Sequence, residues 1–209
     1  MPTDVPQNHV FRSSEFVGII KNAIDFFKNT PICDLPPTIN FGGSGIYALY
    51  YQGDFPLYAK LVQKNGTNYD IPIYVGKAVP SGWRTNRVLS TSNTVLKNRL
   101  REHAGTIQQS KNLNLADFKC RFVILHGVES DLIGAFESGL IRHYSPLWNS
   151  VVDGFGNHDP GAGRYNQARS EWDVLHPGRV FAERLTGEKP NEERIKKEIS
   201  SYFDQSSLF

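Results

Sequence analysis

The stretch from Gly43 to Gly53, GSGIYALYYQG, constrains this chain more than any other. Ile46, Ala48 and Tyr50 alternate with Tyr47, Leu49 and Tyr51, which is strand periodicity, and turn-forming glycines bracket the run. Two further β-rich runs, IPIYVGKA at 71 to 78 and CRFVILHGV at 120 to 128, supply strands to pair with it. Between the first two lies GDFPLYAKLVQKNGTNYD, too long for a tight hairpin and carrying the turn signal Asn65-Gly66. It is expected to be an insertion over 52 to 72 that forms a small hairpin of its own.

Helical spacing separates these runs. Residues 13 to 29 place Phe16, Ile20, Ala23, Ile24 and Phe27 on one stripe, with Ser13 or Ser14 as cap and Pro31 as stop. A second helix is expected over 91 to 110, with Leu96, Leu100, Ala104 and Ile107 on one side. A third, capped by Ser130, runs to Pro146, and a charged amphipathic helix covers 190 to 203. Asp153 to Arg179 is rich in Gly, Asp, Asn, His and Arg without periodicity; a polar loop of that length is usually functional or disordered.

With 209 residues the chain can bury a core without disulfides or a structural metal. Cys33 and Cys120 lack the spacing of a thiolate metal site and read as reduced, buried filler. No run approaches the ~18 apolar residues of a membrane span, and the first residues lack the order of a secretory signal, so a cytoplasmic protein with no membrane association is expected. The net charge of +2 hides an uneven distribution. Lys77, Arg84, Arg87, Lys97, Arg99, Arg101, Lys111, Lys119 and Arg121 face only Glu102 and Asp117 between Tyr74 and Leu125, whereas acids outnumber cations from His126 to Glu183. A basic segment of this kind is either a solvated helix face or the footprint of a polyanion binder.

Several side chains stand out against this background. Glu137 lies inside the stripe Ile133, Phe136, Leu140, Ile141 and Tyr144, where a carboxylate needs either an ion-pair partner or a metal. Arg99 and His103, four apart on the second helix, share a face and combine a phosphate-binding fork with a group that exchanges protons near neutrality. Tyr47 and Tyr74 occupy the two strands, the usual place of a core aromatic whose hydroxyl reaches the rim. The segment GGSG at 42 to 45 precedes a strand, the wrong place for a dinucleotide fingerprint, and no G-x-x-x-x-G-K occurs; no nucleotide cofactor is expected.

The words GIY at 45 to 47 and YVGKA at 74 to 78, followed in order by Arg99, Glu137 and Asn149, resemble the GIY-YIG nuclease family over residues 42 to 150. The resemblance implies an α/β fold of α+β type: a small, mainly antiparallel sheet flanked by helices. To it are added the N-terminal helix, the insertion and a C-terminal extension over 151 to 209, all within one endonuclease domain. Tyr47 and Tyr74 match the signature tyrosines, Gly76 the signature glycine, Arg99 the helix arginine, Glu137 the metal-binding glutamate and Asn149 the terminal asparagine. Lys77 matches a lysine of some members, and His103 a histidine of the restriction-enzyme branch. The long insertion and the lack of appended DNA-binding modules point to the compact type II restriction endonucleases of the family, in particular those that cut CCGCGG.

What the resemblance implies chemically is phosphodiester hydrolysis at a short palindromic, G·C-rich site in double-stranded DNA. One Mg²⁺ per active site would be held by Glu137, with Mn²⁺ able to substitute. Arg99 and Lys77 would face the scissile phosphate, and the Asn149 amide would fix that phosphate or the glutamate. Tyr47, with an ordinary phenol pKa of about 10, needs His103 or Tyr74 to help it deprotonate water. Arginine paired to guanine is the commonest specific contact, so Arg164, Arg169 and Arg179, with Asn166 and Gln167, are the candidate base readers, and Arg84 and Arg87 candidate phosphate contacts. A palindrome implies a homodimer. The alternatives are a family nuclease of repair or mobile elements, and a DNA-binding protein that has lost catalysis.

Overall fold

The computed structural model describes residues 6–83 and 94–205. Its centre is a four-stranded sheet, antiparallel throughout, in the order β1 (Cys33–Asp34), β4 (Phe118–Leu125), β2 (Ser44–Tyr51), β3 (Tyr74–Ala78). The register sets Tyr47 opposite Gly76 on β3 and opposite Phe122 on β4. Every residue of β2 is buried, because both of its faces are covered. The two parities read from the sequence therefore feed two different cores.

Tyr47, Leu49 and Tyr51 point into the larger core with Leu96, Leu100, Ala104 and Ile107 of α3 (Val95–Gln109) and with Ile195, Ile199 and Phe203 of α8 (Glu192–Gln205). Ile46, Ala48 and Tyr50 point the other way, onto Ile20, Ile24 and Phe27 of α1 (Ser14–Lys28) and Ile133, Phe136 and Leu140 of α4 (Ile133–Tyr144). Burying one such side chain stabilises by roughly 1.5–3 kcal/mol, so packing on both faces locates the sheet firmly between α3 and α4. Edge strand β3 is where those two faces meet.

The expected helices and strands are present, and the differences have physical reasons. Ser13 caps α1 by accepting from the Phe16 amide, but Phe16 itself lies off the buried arc and is exposed. The insertion is not a hairpin: Pro56 opens a short 3-10 turn that leads into α2 (Ala59–Asn65), because Tyr58 and Leu61 both reach the core. Asn65 ends that helix and spends its amide on the backbone of Ile71, while Gly66 takes positive φ. Pro72 has no amide hydrogen to donate, and β3 begins only at Tyr74. Ser130 does not cap α4; its hydroxyl donates to the Gly127 carbonyl in a preceding 3-10 turn. Within the described residues, α3 starts at Val95.

Past α5 (Leu147–Ser150) the polar segment is well structured. Its irregular backbone is punctuated by α6 (Glu171–Leu175) and α7 (Val180–Glu183). Trp172, Val152 and Phe155 are buried in the larger core and tie this segment to the sheet. No helix among the described residues is long and apolar enough to cross a membrane.

Candidate active site

Tyr47 is the centre of the site. Its ring is buried beneath α3, and its hydroxyl lies 2.6 Å from Nε2 of His103, one helical turn beyond Arg99. Gly76 makes this placement possible from across the β2–β3 pair. A Cβ there would stand 2.4 Å from Tyr47 Oη, a contact no real side chain tolerates. The signature glycine is thus the floor on which the first tyrosine lies. Tyr74, two residues earlier on β3, sits beside it with ring centroids 6.3 Å apart.

Burial shifts these groups in opposite directions. Removal from water, and then the neighbouring Tyr74 phenol, hold the Tyr47 pKa well above 10, with Arg99 opposing. Burial also raises Tyr74. For His103 burial comes first, followed by the charge of Arg99, the nearby His158 ring and the charge of Arg179, and together they push its pKa well below 6.5. At neutral pH His103 is a neutral imidazole facing a neutral phenol. In that pairing the phenol donates and Nε2 accepts, which places the imidazole hydrogen on Nδ1.

On the opposite side of β3, the Lys77 ammonium lies 2.5 Å from Oε2 of Glu137. The ion-pair partner that a carboxylate on the α4 stripe needs is this lysine. Glu137 keeps 17% side-chain exposure, so the carboxylate opens toward solvent. Its negative charge still reaches both tyrosines and contributes to their raised pKa values. Among the described residues no group of three or more His, Cys, Asp or Glu could hold a metal. The donor set is a single accessible carboxylate, which fits Mg²⁺, since that ion retains several waters and commonly takes one or two carboxylates plus substrate phosphate.

Two expectations need correction. Asn149 does not aim its amide at a phosphate or at Glu137: its Oδ1 accepts from the Val75 amide at 2.8 Å and its Nδ2 donates to the Val75 carbonyl at 2.9 Å. It pairs with the open edge of β3 as another strand would. Arg179 is not a base reader in this arrangement. It is 1% exposed, forms a two-pronged pair with Asp173 at 2.6 and 2.8 Å, and donates to the carbonyls of Gly154, Phe155 and Asn157. A buried charge needs this full set of partners, and none of its geometry is left for DNA.

The other candidate readers divide. Arg169 is turned inward onto Glu183 at 2.9 Å. Arg164, Asn166 and Gln167 are exposed. Arg84 and Arg87 lie outside the described residues. The basic segment is likewise not one continuous arm: Lys119 pairs with Asp34, and Arg121 donates to the carbonyls of Thr30, Asn68 and Tyr69 beneath the sheet.

Sequence reasoning missed the covering of the site. Phe155 stacks on His103 at 4.6 Å and meets Tyr74 edge-on at 4.9 Å. Gly156 and His158 both contact Arg99. The only signal was an aromatic set between two glycines, Gly154-Phe155-Gly156, in an otherwise polar loop.

Tyr47, Tyr74, Arg99 and His103 thus gather on one face of β3 with Lys77 and Glu137 on the other, in a site built from two strands, two helices and one loop. No curated protein matches this chain. The family described as the Eco29kI GIY-YIG domain, a family of type II restriction endonucleases, matches residues 39–203, and the chain belongs to that family.

Proposed function

We propose that this GIY-YIG nuclease domain is a type II restriction endonuclease that hydrolyses double-stranded DNA at a short palindromic, G·C-rich site of the CCGCGG kind, in a Mg²⁺-dependent reaction with a tyrosine-activated water. The observation that carries the reading is the 2.6 Å contact between Tyr47 and a neutral, buried His103. A phenol held well above pKa 10 cannot act as a base by itself, but it can take a proton from water while passing its own to His103. The water oxygen then forms the new P–O bond as the opposite P–O bond breaks, and the leaving oxygen takes a proton from solvent.

Arg99 faces the phosphate on the tyrosine side, where a fixed guanidinium stabilises charge on the nonbridging oxygens. Glu137 would hold the Mg²⁺, and Lys77 keeps that carboxylate in place and adds positive charge beside it. When bound, the ion would supply Lewis-acid stabilisation of the phosphate. Tyr74 orients the water, and Asn149 acts as a positioning residue by holding the strand that carries Tyr74 and Lys77. Arg164, Asn166 and Gln167 are the proposed base readers. A palindromic target places equivalent phosphates on two strands, so the enzyme acts as a homodimer with one active site per strand.

Incubation of the protein with plasmid DNA and Mg²⁺, followed by sequencing of the ends, tests the reading. Cuts at one palindromic sequence are expected. Random nicking would favour a repair or mobile-element nuclease, and DNA binding without metal-dependent cutting would favour a binder that has lost catalysis.

A further inference from the structure

Arg99 carries the charge that the proposed chemistry aims at the phosphate, and α3 alone does not fix its fork. Glu102, one turn further along the same helix, takes Nη1 at 2.8 Å. The remaining restraints come from the polar loop. His158 Nε2 lies 2.7 Å from Nη1, and the Gly156 carbonyl accepts from Nη2 at 3.1 Å. Gly156 comes so close that a Cβ would stand 3.0 Å from Tyr74 Oη and 3.4 Å from Arg99 Nη2.

This part of the loop is held from behind. Arg179 donates to the carbonyls of Gly154 at 2.8 Å, Phe155 at 3.1 Å and Asn157 at 3.0 Å, and Asp173 anchors Arg179. Ser170 caps α6 through the Asp173 amide and donates its hydroxyl to the same carboxylate. Phe155, stacked on His103, closes the inner side. His158 projects from this fixed frame, itself exposed, and ends on the guanidinium.

We infer that His158 is a positioning residue for Arg99, accepting one edge of the guanidinium so that the remaining N–H donors are aimed at the scissile phosphate. The inference rests on the nuclease reading of the site. A guanidinium has donors only, so the contact requires an imidazole with a free lone pair on Nε2 and its hydrogen on Nδ1. Arginine forks bind phosphate well only when their plane is fixed, and a displacement near 1 Å at a catalytic group costs on the order of 100-fold in rate.

The test compares His158→Ala and His158→Gln, each in wild-type and Arg99→Ala backgrounds, by kcat, KM, DNA affinity and melting temperature. His158→Ala is expected to lower kcat on the order of 10- to 100-fold with KM, DNA affinity and melting temperature unchanged. His158→Gln, whose amide oxygen can accept the same hydrogen, restores most of the rate, and the alanine change has no further effect once Arg99 is gone. An unchanged kcat, an equal loss in the Arg99→Ala background, or weaker DNA binding at constant kcat would each overturn the proposal, the last by making His158 a DNA contact. If the wild-type protein cuts no DNA, the nuclease reading fails by itself, and the contact is then read by NMR of the Arg99 guanidinium. Restricted rotation at Nη1 should be lost in His158→Ala and kept in His158→Gln; free rotation in the wild type would overturn the proposal.

Discussion

Tyr47 and His103 were both legible in the sequence, but the reason they work together was not. The pattern Arg-x-x-x-His showed that Arg99 and His103 share a helix face. Only the fold shows that this face lands on Tyr47, with His103 1% exposed and held neutral, so that Nε2 presents a lone pair to the phenol. Tyr47→Phe removes the hydroxyl and leaves the ring packing intact. Single-turnover cleavage should fall by about 10²–10⁴-fold, the usual worth of a general base. Stability should fall by about 1–3 kcal/mol, since Nε2 of His103 loses its buried donor. Wild-type cleavage by the phenylalanine variant would move the base role elsewhere. Arg179 was misread because a polar side chain in a loop looks available for substrate until long-range contacts show its donors spent on backbone, and Asn149, assigned through the resemblance, likewise spends its amide on Val75.

At the scale of elements, β3 is the strand on which most depends, and it is an edge strand. One side pairs with β2, and on the other the Asn149 amide satisfies Val75. Asn149→Ala leaves a buried N–H and a buried C=O unpaired, at about 1–3 kcal/mol each. The expected outcome is a lowered melting temperature and faster hydrogen exchange at the Val75 amide, with reduced cleavage because Tyr74 and Lys77 ride on the same strand. Unchanged exchange at Val75 would show that the strand needs no such partner. Most elements were readable because periodicity reports burial on a face: α1, α3 and α4 each turn inward the stripe that spacing predicts, with Ala23 and Ile141 half-buried and Phe16 exposed. The insertion was not readable, because Asn65-Gly66 signals a reversal equally well at a hairpin or a helix end. What decided for α2 was tertiary, the burial of Tyr58 and Leu61 against the larger core.

The molecule as a whole carries two buried neutral histidines, and these set a pH dependence of stability. His103 is held well below 6.5 chiefly by burial, and burial takes His176 down to about 3 in its pocket with Tyr58 and Asn112. Above pH 6.5 both histidines are neutral in folded and unfolded chains and contribute no slope. Below it the unfolded chain binds the protons first, so stability falls as pH falls, by up to about 1.4 kcal/mol per pH unit for each histidine until its folded pKa is reached. Urea unfolding between pH 7.5 and 5 should show this decline, and His176→Gln should flatten it even though it lowers stability throughout. Equal stability across that range would contradict the buried, neutral assignment. Net charge is a poorer guide at this scale. The basic segment seen in the sequence is divided once folded: Lys119 and Arg121 are bound to Asp34 and to the backbone, whereas Arg101 and Lys111 stay exposed.

In the proposed reaction, cleavage is carried out by Tyr47, His103 and Arg99 on one face of β3, with Glu137 on the other as the residue that would hold the metal. The most direct test measures Mg²⁺-dependent DNA cleavage and DNA binding side by side for the wild type and Glu137→Ala. The account predicts a wild type that cuts only with Mg²⁺, and a variant with cleavage abolished but specific DNA binding largely intact. Full Mg²⁺-dependent cleavage by Glu137→Ala would contradict it.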